Sequence, residues 1–173
     1  MARNVEIKAR VADLPRLRDR VAALALGPPQ ALEQTDTFFP LPGGRLKLRR
    51  FGDGAGELIL YQRPDGPGPR ESAYFRMDCR DPADLGAILR RRLGARGVVE
   101  KRREVFLVGR ARIHLDEVRD LGAYLEIEVV LDAGEPAARG ECEARALLAV
   151  LDVPESALEA RAYIDLLEAR GAR

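Results

Sequence analysis

The first β-strand expected in this chain, residues 4–11, divides into a charged face and an apolar face. Successive side chains of a strand point to opposite sides of a sheet, so alternate residues share a face. The apolar face carries Val5, Ile7, Ala9 and Val11, and the polar face carries Asn4, Glu6, Lys8 and Arg10. Because later strands repeat this division, the pattern restricts the chain to a sheet with one apolar and one highly charged face.

The sequence pattern predicts eight strands and four helices. The strands are expected at residues 4–11, 32–39, 45–50, 57–63, 70–77, 98–108, 112–116 and 124–131. The first helix is expected after an Asp13 cap, and the others at residues 82–93, 136–151 and 156–168. Glycine-rich turns at residues 42–44 and 52–54 indicate hairpins between consecutive strands.

Eight strands joined mostly by hairpins predict an α+β fold that forms a single domain over residues 1–173. We expect the antiparallel sheet to curl into a closed barrel, with helices covering its apolar outer face. The charged faces would then turn inward. Two strands cannot be oriented by alternation alone, because residues 57–63 are apolar on both faces and residues 98–108 are charged on both.

The inward positions of such a barrel would collect nine basic residues and four carboxylates. They are Lys8, Arg10, Arg45, Lys47, Arg49, Arg76, Lys101, Arg103, Arg112, Glu6, Asp116, Glu126 and Glu128. Burying unpaired charges in a dry core is costly, so the interior is expected to be a wet channel. Its basic excess, which includes all three lysines of the chain, predicts that it binds a polyanion.

The four carboxylates among these cations indicate a second ligand. Mg²⁺ prefers oxygen ligands and bridges carboxylates to phosphates, so the combination predicts a metal-bound polyphosphate. The alternative is an open sheet whose charges pair across strands in water, which is the usual antiparallel arrangement. That alternative explains a single strand well but five strands poorly. His114 shares a face with Asp116 and is a further candidate for metal or proton handling, although a lone histidine is more often structural.

The overall composition narrows the choice of partners and location. The net charge is +1, which gives no reason to expect nucleic acid or an acidic membrane as partner. No apolar run is long enough to span a membrane, and no signal-peptide pattern opens the chain. Cys79 and Cys142 lack the number and spacing of a disulfide framework or metal site. A cytoplasmic location is expected.

Residues 4–8, Asn-Val-Glu-Ile-Lys, resemble the Glu-x-Glu-x-Lys signature of the CYTH superfamily, which includes class IV adenylyl cyclases and triphosphatases. Residues 34–39, 44–49, 114–116 and 125–128 are similar to later blocks of the family in the same order, and residues 162–167 to its C-terminal helix. The resemblance covers nearly the whole chain and implies an eight-stranded closed barrel, the triphosphate tunnel.

The resemblance also implies roles for individual residues. Phosphate binding is expected at Lys8, Arg45, Lys47, Arg49, Arg63, Arg76, Lys101 and Arg103. One or two Mg²⁺ or Mn²⁺ ions are expected at Glu6, Asp116, Glu126 and Glu128, and catalytic roles at Glu126, Glu128 and Lys8. Asp36 is a further candidate. Asn4 replaces the first glutamate of the signature and supplies a neutral carbonyl oxygen, so either a metal ligand is weakened or a water-positioning charge is lost, without an effect on phosphate binding.

Three functions are consistent with these features. The first is a metal-dependent triphosphatase that hydrolyses inorganic tripolyphosphate or an organic triphosphate by attack of water on the terminal phosphorus. The second is a class IV adenylyl cyclase that converts ATP to cyclic AMP and pyrophosphate. The third is a non-catalytic module that binds polyphosphate or nucleotide. In each case the partner is a small molecule containing a triphosphate, and the protein is expected to be a monomer or a homodimer.

Overall fold

The computed structural model describes residues 2–62 and 68–171. Their strands are β1 Ala2–Arg10, β2 Gln30–Phe39, β3 Arg45–Phe51, β4 Gly56–Gln62, β5 Arg70–Cys79, β6 Gly97–Val108, β7 Ala111–Val118 and β8 Gly122–Val130. The helices are α1 Leu14–Leu24, α2 Pro82–Leu93, α3 Ala137–Val150 and α4 Tyr163–Ala169, with a short 3₁₀ turn at Glu155–Ala157. None of these helices is long and apolar enough to cross a lipid bilayer.

The eight strands form a closed antiparallel barrel in the order β1-β5-β4-β3-β2-β6-β7-β8. The fold class predicted from the alternation is therefore confirmed. Most strand boundaries differ from the predicted ones by only one or two residues. The structure also orients the two ambiguous strands. In β6, Lys101 and Arg103 are buried while Glu100 and Arg102 are exposed, and in β4, Ile59 is buried while Leu60 is exposed.

The main apolar core lies outside the barrel, between β1, β6, β7 and β8 and the helices α1 and α3. It joins Val5, Ile7, Phe106, Ile113 and Ile127 to Leu17, Val21, Ala144 and Leu148 of the helices. Helix α1 begins at Asp13, whose Oδ1 accepts a hydrogen bond from Arg16 N at 3.0 Å, as the sequence predicts. Helix α3 approaches the sheet so closely that a Cβ on Gly140 would lie 2.9 Å from Val5.

The expectation that helices cover every apolar outer face is wrong for β4 and β5. Leu60, Phe75 and Met77 on the outer face of these strands are exposed. Leu60 and Phe75 are directly paired across the two strands, as are Leu58 and Met77. The physical reason is topological: α2 packs on β2 and β3 while α3 packs on β1 and β8, which leaves β4 and most of β5 between them.

The C-terminal segment closes one end of the barrel and is not the continuous helix predicted at residues 156–168. Leu158 forms a β-bridge with Ala9, and Glu159 N donates to Lys8 O at 2.9 Å. These contacts hold the chain extended, so α4 starts only at Tyr163. Tyr163 then packs inside the barrel end in a second apolar cluster with Phe38, Val99 and Tyr124.

Candidate active site

The barrel encloses a cavity of about 560 Å³ that is lined by inward side chains of all eight strands and by Ala162 and Tyr163. Most of the residues singled out in the sequence lie on its wall. They are Asn4, Glu6, Lys8, Asp36, Lys47, Arg49, Arg76, Lys101, Arg103, His114, Glu126 and Glu128. The structure therefore brings together residues that are up to 124 positions apart, from Asn4 to Glu128.

Three cations surround one buried carboxylate on β2, β3 and β6, and we call this group the basic wall. Asp36, which is 2% exposed, accepts hydrogen bonds from Lys47 Nζ at 2.9 Å and from Arg49 Nε at 2.7 Å. Lys101 Nζ lies 3.6 Å from the same carboxylate. The single negative charge of Asp36 thus neutralises only part of the three positive charges around it. The surplus positive charge faces the cavity and favours an anion there.

Electrostatics within the basic wall change the protonation of its members. Burial acts to raise the pKa of Asp36, but the charges of Arg49, Lys47 and Lys101 lower it well below its usual range. Burial and the charge of Arg103 lower the pKa of Lys101 to about 7, despite the opposing charge of Asp36. Burial and Arg49 also lower the pKa of Lys47. A bound polyanion would therefore stabilise the charged form of both lysines.

Three glutamates on β1 and β8 form the acidic wall: Glu6, Glu126 and Glu128. Glu6 and Glu128 are directly opposite each other in the strand register, on the inward face. Strand β2 lies four strands from β1 in either direction around the barrel, so the two walls face one another. Carboxylates are thus concentrated on this side of the cavity and cations around Asp36, although Lys8 and Arg112 lie opposite Glu126 and Glu128 in the strand register.

Arg103 links the two walls and forms ion pairs with two carboxylates. Its Nε and Nη2 donate to Asp116 at 2.6 and 2.5 Å, and Nη2 also donates to Glu126 at 2.5 Å. Burial acts to raise the pKa of Glu126, but the charge of Arg103 lowers it well below the usual range. Glu126 is consequently held as a carboxylate and is a weak proton acceptor.

Asp116 lies behind the cavity wall, where it is fully buried. Both of its oxygens accept hydrogen bonds from Arg103, and Oδ2 also accepts one from Tyr163 Oη at 2.9 Å. Asp116 could coordinate a metal ion only if it lost hydrogen bonds from Arg103 or Tyr163. Its geometry fits an anchor for Arg103, and its predicted role as a metal ligand stays a prediction.

The fit of a divalent cation is better at Glu6 and Glu128. Mg²⁺ is commonly held by one or two carboxylates together with substrate phosphates and water, and these two carboxylates are neighbours across β1 and β8. Asn4 is two residues from Glu6 on the same face, and its Oδ1 is buried without a hydrogen-bond partner among the described residues. Within residues 2–62 and 68–171, no three carboxylate, histidine or cysteine side chains already form a metal site.

Lys8 and Tyr163 meet at the closed end of the cavity. Lys8 Nζ donates to Arg161 O at 2.7 Å, lies 3.8 Å from Glu126 Oε1 and is 4.3 Å from the Tyr163 ring centroid. Lys101 Nζ is 5.4 Å from the same centroid. Tyr163 therefore contacts lysines from both sides of the cavity. This position of Tyr163 was not predicted from the sequence, in which residues 162–167 were expected only as part of a terminal helix.

Four further polar atoms on the cavity wall lack hydrogen-bond partners among the residues described. They are Gln34 Oε1, Glu57 Oε2, Arg112 Nε and His114 Nδ1, all buried. His114 Nδ1 is 3.7 Å from Glu126 and 3.9 Å from Glu128, beyond hydrogen-bonding distance. Burying a polar atom unpaired costs free energy, so these atoms indicate a surface that is completed by water or a ligand.

Three predicted cations lie away from the centre of the cavity. Arg45 Nη2 pairs with Asp165 of α4 at 3.2 Å, while Arg76, largely exposed at the open end, is 3.5 Å from Glu57. Arg10 pairs with Glu159 beyond the closed end. Arg63 lies outside the described residues. The imbalance of nine cations against four carboxylates expected from the sequence is therefore too large. It omits four carboxylates that pair with these cations: Asp36, Glu57, Glu159 and Asp165.

Comparison with known proteins identifies the class to which this barrel belongs. The CYTH domain matches the chain over residues 2–163. The chain therefore belongs to the CYTH family, as its blocks of sequence indicated. No curated protein matches it in sequence.

Solved structures of similar fold come from diverse organisms. The PH1012 protein of Pyrococcus horikoshii OT3 is 24% identical with a TM-score of 0.83, and the match covers 94% of this chain and 98% of that one. A candidate adenylate cyclase of Vibrio parahaemolyticus is 21% identical, with a TM-score of 0.77 and coverage of 95% and 97%. The candidate adenylyl cyclase HpAC1 of Hippeastrum, which has a dominant triphosphatase activity, is 16% identical, with a TM-score of 0.69 and coverage of 100% and 97%. At these identities the likeness concerns the fold.

Proposed function

We propose that this protein is a divalent-metal-dependent triphosphatase that binds a triphosphate chain inside the barrel. The observation that carries the proposal is the pair of opposed clusters: three cations around Asp36 face the neighbouring carboxylates Glu6 and Glu128 across the cavity. A polyphosphate needs the first group and its divalent counter-ion needs the second. The dominant triphosphatase activity of the Hippeastrum protein agrees with this choice.

The basic wall would bind and orient the substrate. Lys47, Arg49 and Lys101 are already positioned by Asp36, so little side-chain entropy would be lost when phosphate oxygens bind to them. Such preorganised cations stabilise charge that develops on the equatorial oxygens of the transferred phosphoryl group. Arg103 and Lys8 would complete the site next to the closed end.

The acidic wall would hold the cation and the attacking water. Glu6 and Glu128, with the Asn4 carbonyl, would hold Mg²⁺ or Mn²⁺. When bound, this ion would neutralise phosphate charge and polarise the oxygens bound to it. The replacement of glutamate by Asn4 leaves one negative charge fewer at this place than the family signature supplies.

Glu128 is better placed than Glu126 to orient water. Glu126 is bound by Arg103 at 2.5 Å and held ionised by it, whereas the ion-pair contacts of Glu128 with described residues are longer, with Arg112 Nε at 3.6 Å and His114 at 3.9 Å. The water oxygen would bond to the terminal phosphorus while the bond to the bridging oxygen breaks. Glu128 would accept the water proton, and the electron pair would leave with the diphosphate.

A substrate panel tests the proposal directly. Tripolyphosphate, ATP and thiamine triphosphate are each incubated with the protein and Mg²⁺ or Mn²⁺, and released phosphate and cyclic AMP are both measured. Metal-dependent release of phosphate is the expected result. Cyclic AMP with pyrophosphate from ATP would instead identify an adenylyl cyclase. Tight binding without turnover under either metal would identify a binding module.

A further inference from the structure

The open end of the cavity carries an apolar surface on one side. Its members, which we call the apolar lip, are Leu32 of β2, Phe51 of β3, and Val105 and Leu107 of β6. All four line the same cavity as the basic wall. Leu107 is 53% exposed, so this surface is in contact with solvent rather than packed into the core.

The strand register makes the apolar lip continuous. Gln34 is opposite Phe51, so Leu32, two residues earlier on the same face, is a diagonal neighbour of Phe51. Leu32 is opposite Arg103, so it is also a diagonal neighbour of Val105. Side chains at such diagonal positions are within reach of each other in an antiparallel sheet. The four residues therefore form one surface across three adjacent strands.

The apolar lip is directly above the cations that would hold phosphates. Arg49 precedes Phe51 by two residues on β3, and Arg103 precedes Val105 by two residues on β6. A ligand that extends from the basic wall toward the opening thus passes from charged to apolar surroundings within two residues along a strand. The other side of the opening is polar, with Arg76, Glu57 and Arg112 on the cavity wall.

This layout distinguishes two kinds of triphosphate. Inorganic tripolyphosphate is charged along its whole length, so the apolar lip would stay exposed to water when it binds. An organic triphosphate with a ring-bearing head group would cover the lip and remove apolar area from water, which is favourable. Small-molecule sites combine apolar walls with a few placed polar groups in this way.

We propose that the substrate is an organic triphosphate whose ring-bearing head group binds against Leu32, Phe51, Val105 and Leu107. The proposal rests on the proposed function, because it assigns the triphosphate end of the same ligand to the basic wall. It goes further in giving the head group a defined surface and in selecting organic over inorganic triphosphates.

Calorimetric titration in EDTA tests the proposal without turnover. Tripolyphosphate, ATP and thiamine triphosphate are titrated into wild type, Leu107→Gln and Val105→Thr. Leu60→Gln is the matched control, because Leu60 is similarly exposed, at 42%, but lies on the outer face of β4. Loss of an apolar contact in a binding pocket typically costs about tenfold in affinity or more.

We expect Leu107→Gln and Val105→Thr to weaken at least one organic triphosphate by about tenfold and tripolyphosphate by less than twofold. Leu60→Gln should change neither. Equal losses for organic and inorganic ligands, or no loss for either organic ligand, would overturn the role of the apolar lip and leave the triphosphate site intact. If wild type does not bind tripolyphosphate or either organic ligand, the proposed function fails as well.

Discussion

The basic wall and the acidic wall use buried charge in opposite ways. In the basic wall one carboxylate, Asp36, neutralises three cations incompletely. Beside the acidic wall the ratio is reversed, because one cation, Arg103, holds two carboxylates, Asp116 and Glu126, and Lys8 adds a longer contact to Glu126 at 3.8 Å. In both clusters ion pairs hold the charged side chains in position. Fixed charges of this kind need little reorganisation when charge develops during a reaction.

We expect the acidic wall to contribute more to triphosphate turnover than to triphosphate binding. Replacing Glu128 by Gln removes the proposed proton acceptor and one metal ligand, so triphosphate turnover should fall by about 10²- to 10⁴-fold. Tripolyphosphate affinity in EDTA should be unchanged or tighter, because a negative charge near the phosphates is lost. Steady-state kinetics and calorimetry measure the two quantities. Glu100→Gln, on the exposed outer face of β6, is the control and should alter neither.

A second prediction concerns stability. Asp116→Ala leaves Arg103 buried with only Glu126 as its carboxylate partner, and breaking a buried pair typically costs about 3–5 kcal/mol. We expect the free energy of unfolding in urea to fall by about 3 kcal/mol, the low end, because Glu126 remains. Glu128→Gln should change it far less, since the ion-pair contacts of Glu128 with described residues are longer. An equal effect of the two substitutions would contradict the division between an anchoring and a functional carboxylate.

The basic wall should determine affinity. Arg49→Ala removes a charge-assisted hydrogen bond to phosphate, which is worth about 1.5–3 kcal/mol, or roughly ten- to a hundredfold in the dissociation constant of tripolyphosphate. Arg18→Ala serves as the control, because Arg18 on α1 is exposed and pairs with Glu104 outside the barrel. Titration calorimetry compares the two variants. Similar losses would show that the cavity does not hold the phosphates.

The smallest expected effect is a proton taken up at Lys101. Its pKa of about 7 in the free protein means that it is largely neutral at pH 8.5, and a bound polyanion favours the charged form. Binding at pH 8.5 should therefore take up more protons in wild type than in Lys101→Arg. Calorimetry in buffers of different ionisation enthalpy measures the difference. Identical uptake would mean that Lys101 does not contact the ligand.

The lowered pKa of Lys101 also makes the free energy of unfolding depend on pH. Lys101 titrates near 7 when folded and near 10.5 as a free side chain, so the unfolded chain binds more protons between these values. Lys101 consequently opposes folding most strongly below pH 7. This opposition decreases as the pH rises from 7 toward 10.5, and Lys101→Met should flatten that part of the stability profile.

Alternation predicts the inner face of a strand when its two faces differ strongly. It was sufficient for β1, β3, β7 and β8, where polar and apolar residues alternate along most of each strand. For β6 it was not, because Glu100 and Arg102 are as charged as Lys101 and Arg103. Which of these two pairs is buried depends on how β6 pairs with β2 and β7. The sequence of β6 alone does not determine this pairing.

The central role of Asp36 and the path of residues 158–162 could not be derived from local sequence. Strand β2 carries Leu32, Gln34, Asp36 and Phe38 on one face, a mixed set whose inward direction is fixed only by its two neighbours. Residues 158–162 have good helical propensity, but the bridge between Leu158 and Ala9 overrides it. Long-range pairing thus decided both features, and Tyr163 reaches the cavity as a result.

One calorimetric titration tests the central claim that the two walls form a single triphosphate site. Wild-type protein is titrated with tripolyphosphate and, separately, with orthophosphate under the same conditions. Because each additional charge-assisted phosphate contact is worth about 1.5–3 kcal/mol, we expect one site per chain and an affinity for tripolyphosphate at least about a hundredfold higher. Equal affinities, or no saturable binding of tripolyphosphate, would contradict the claim.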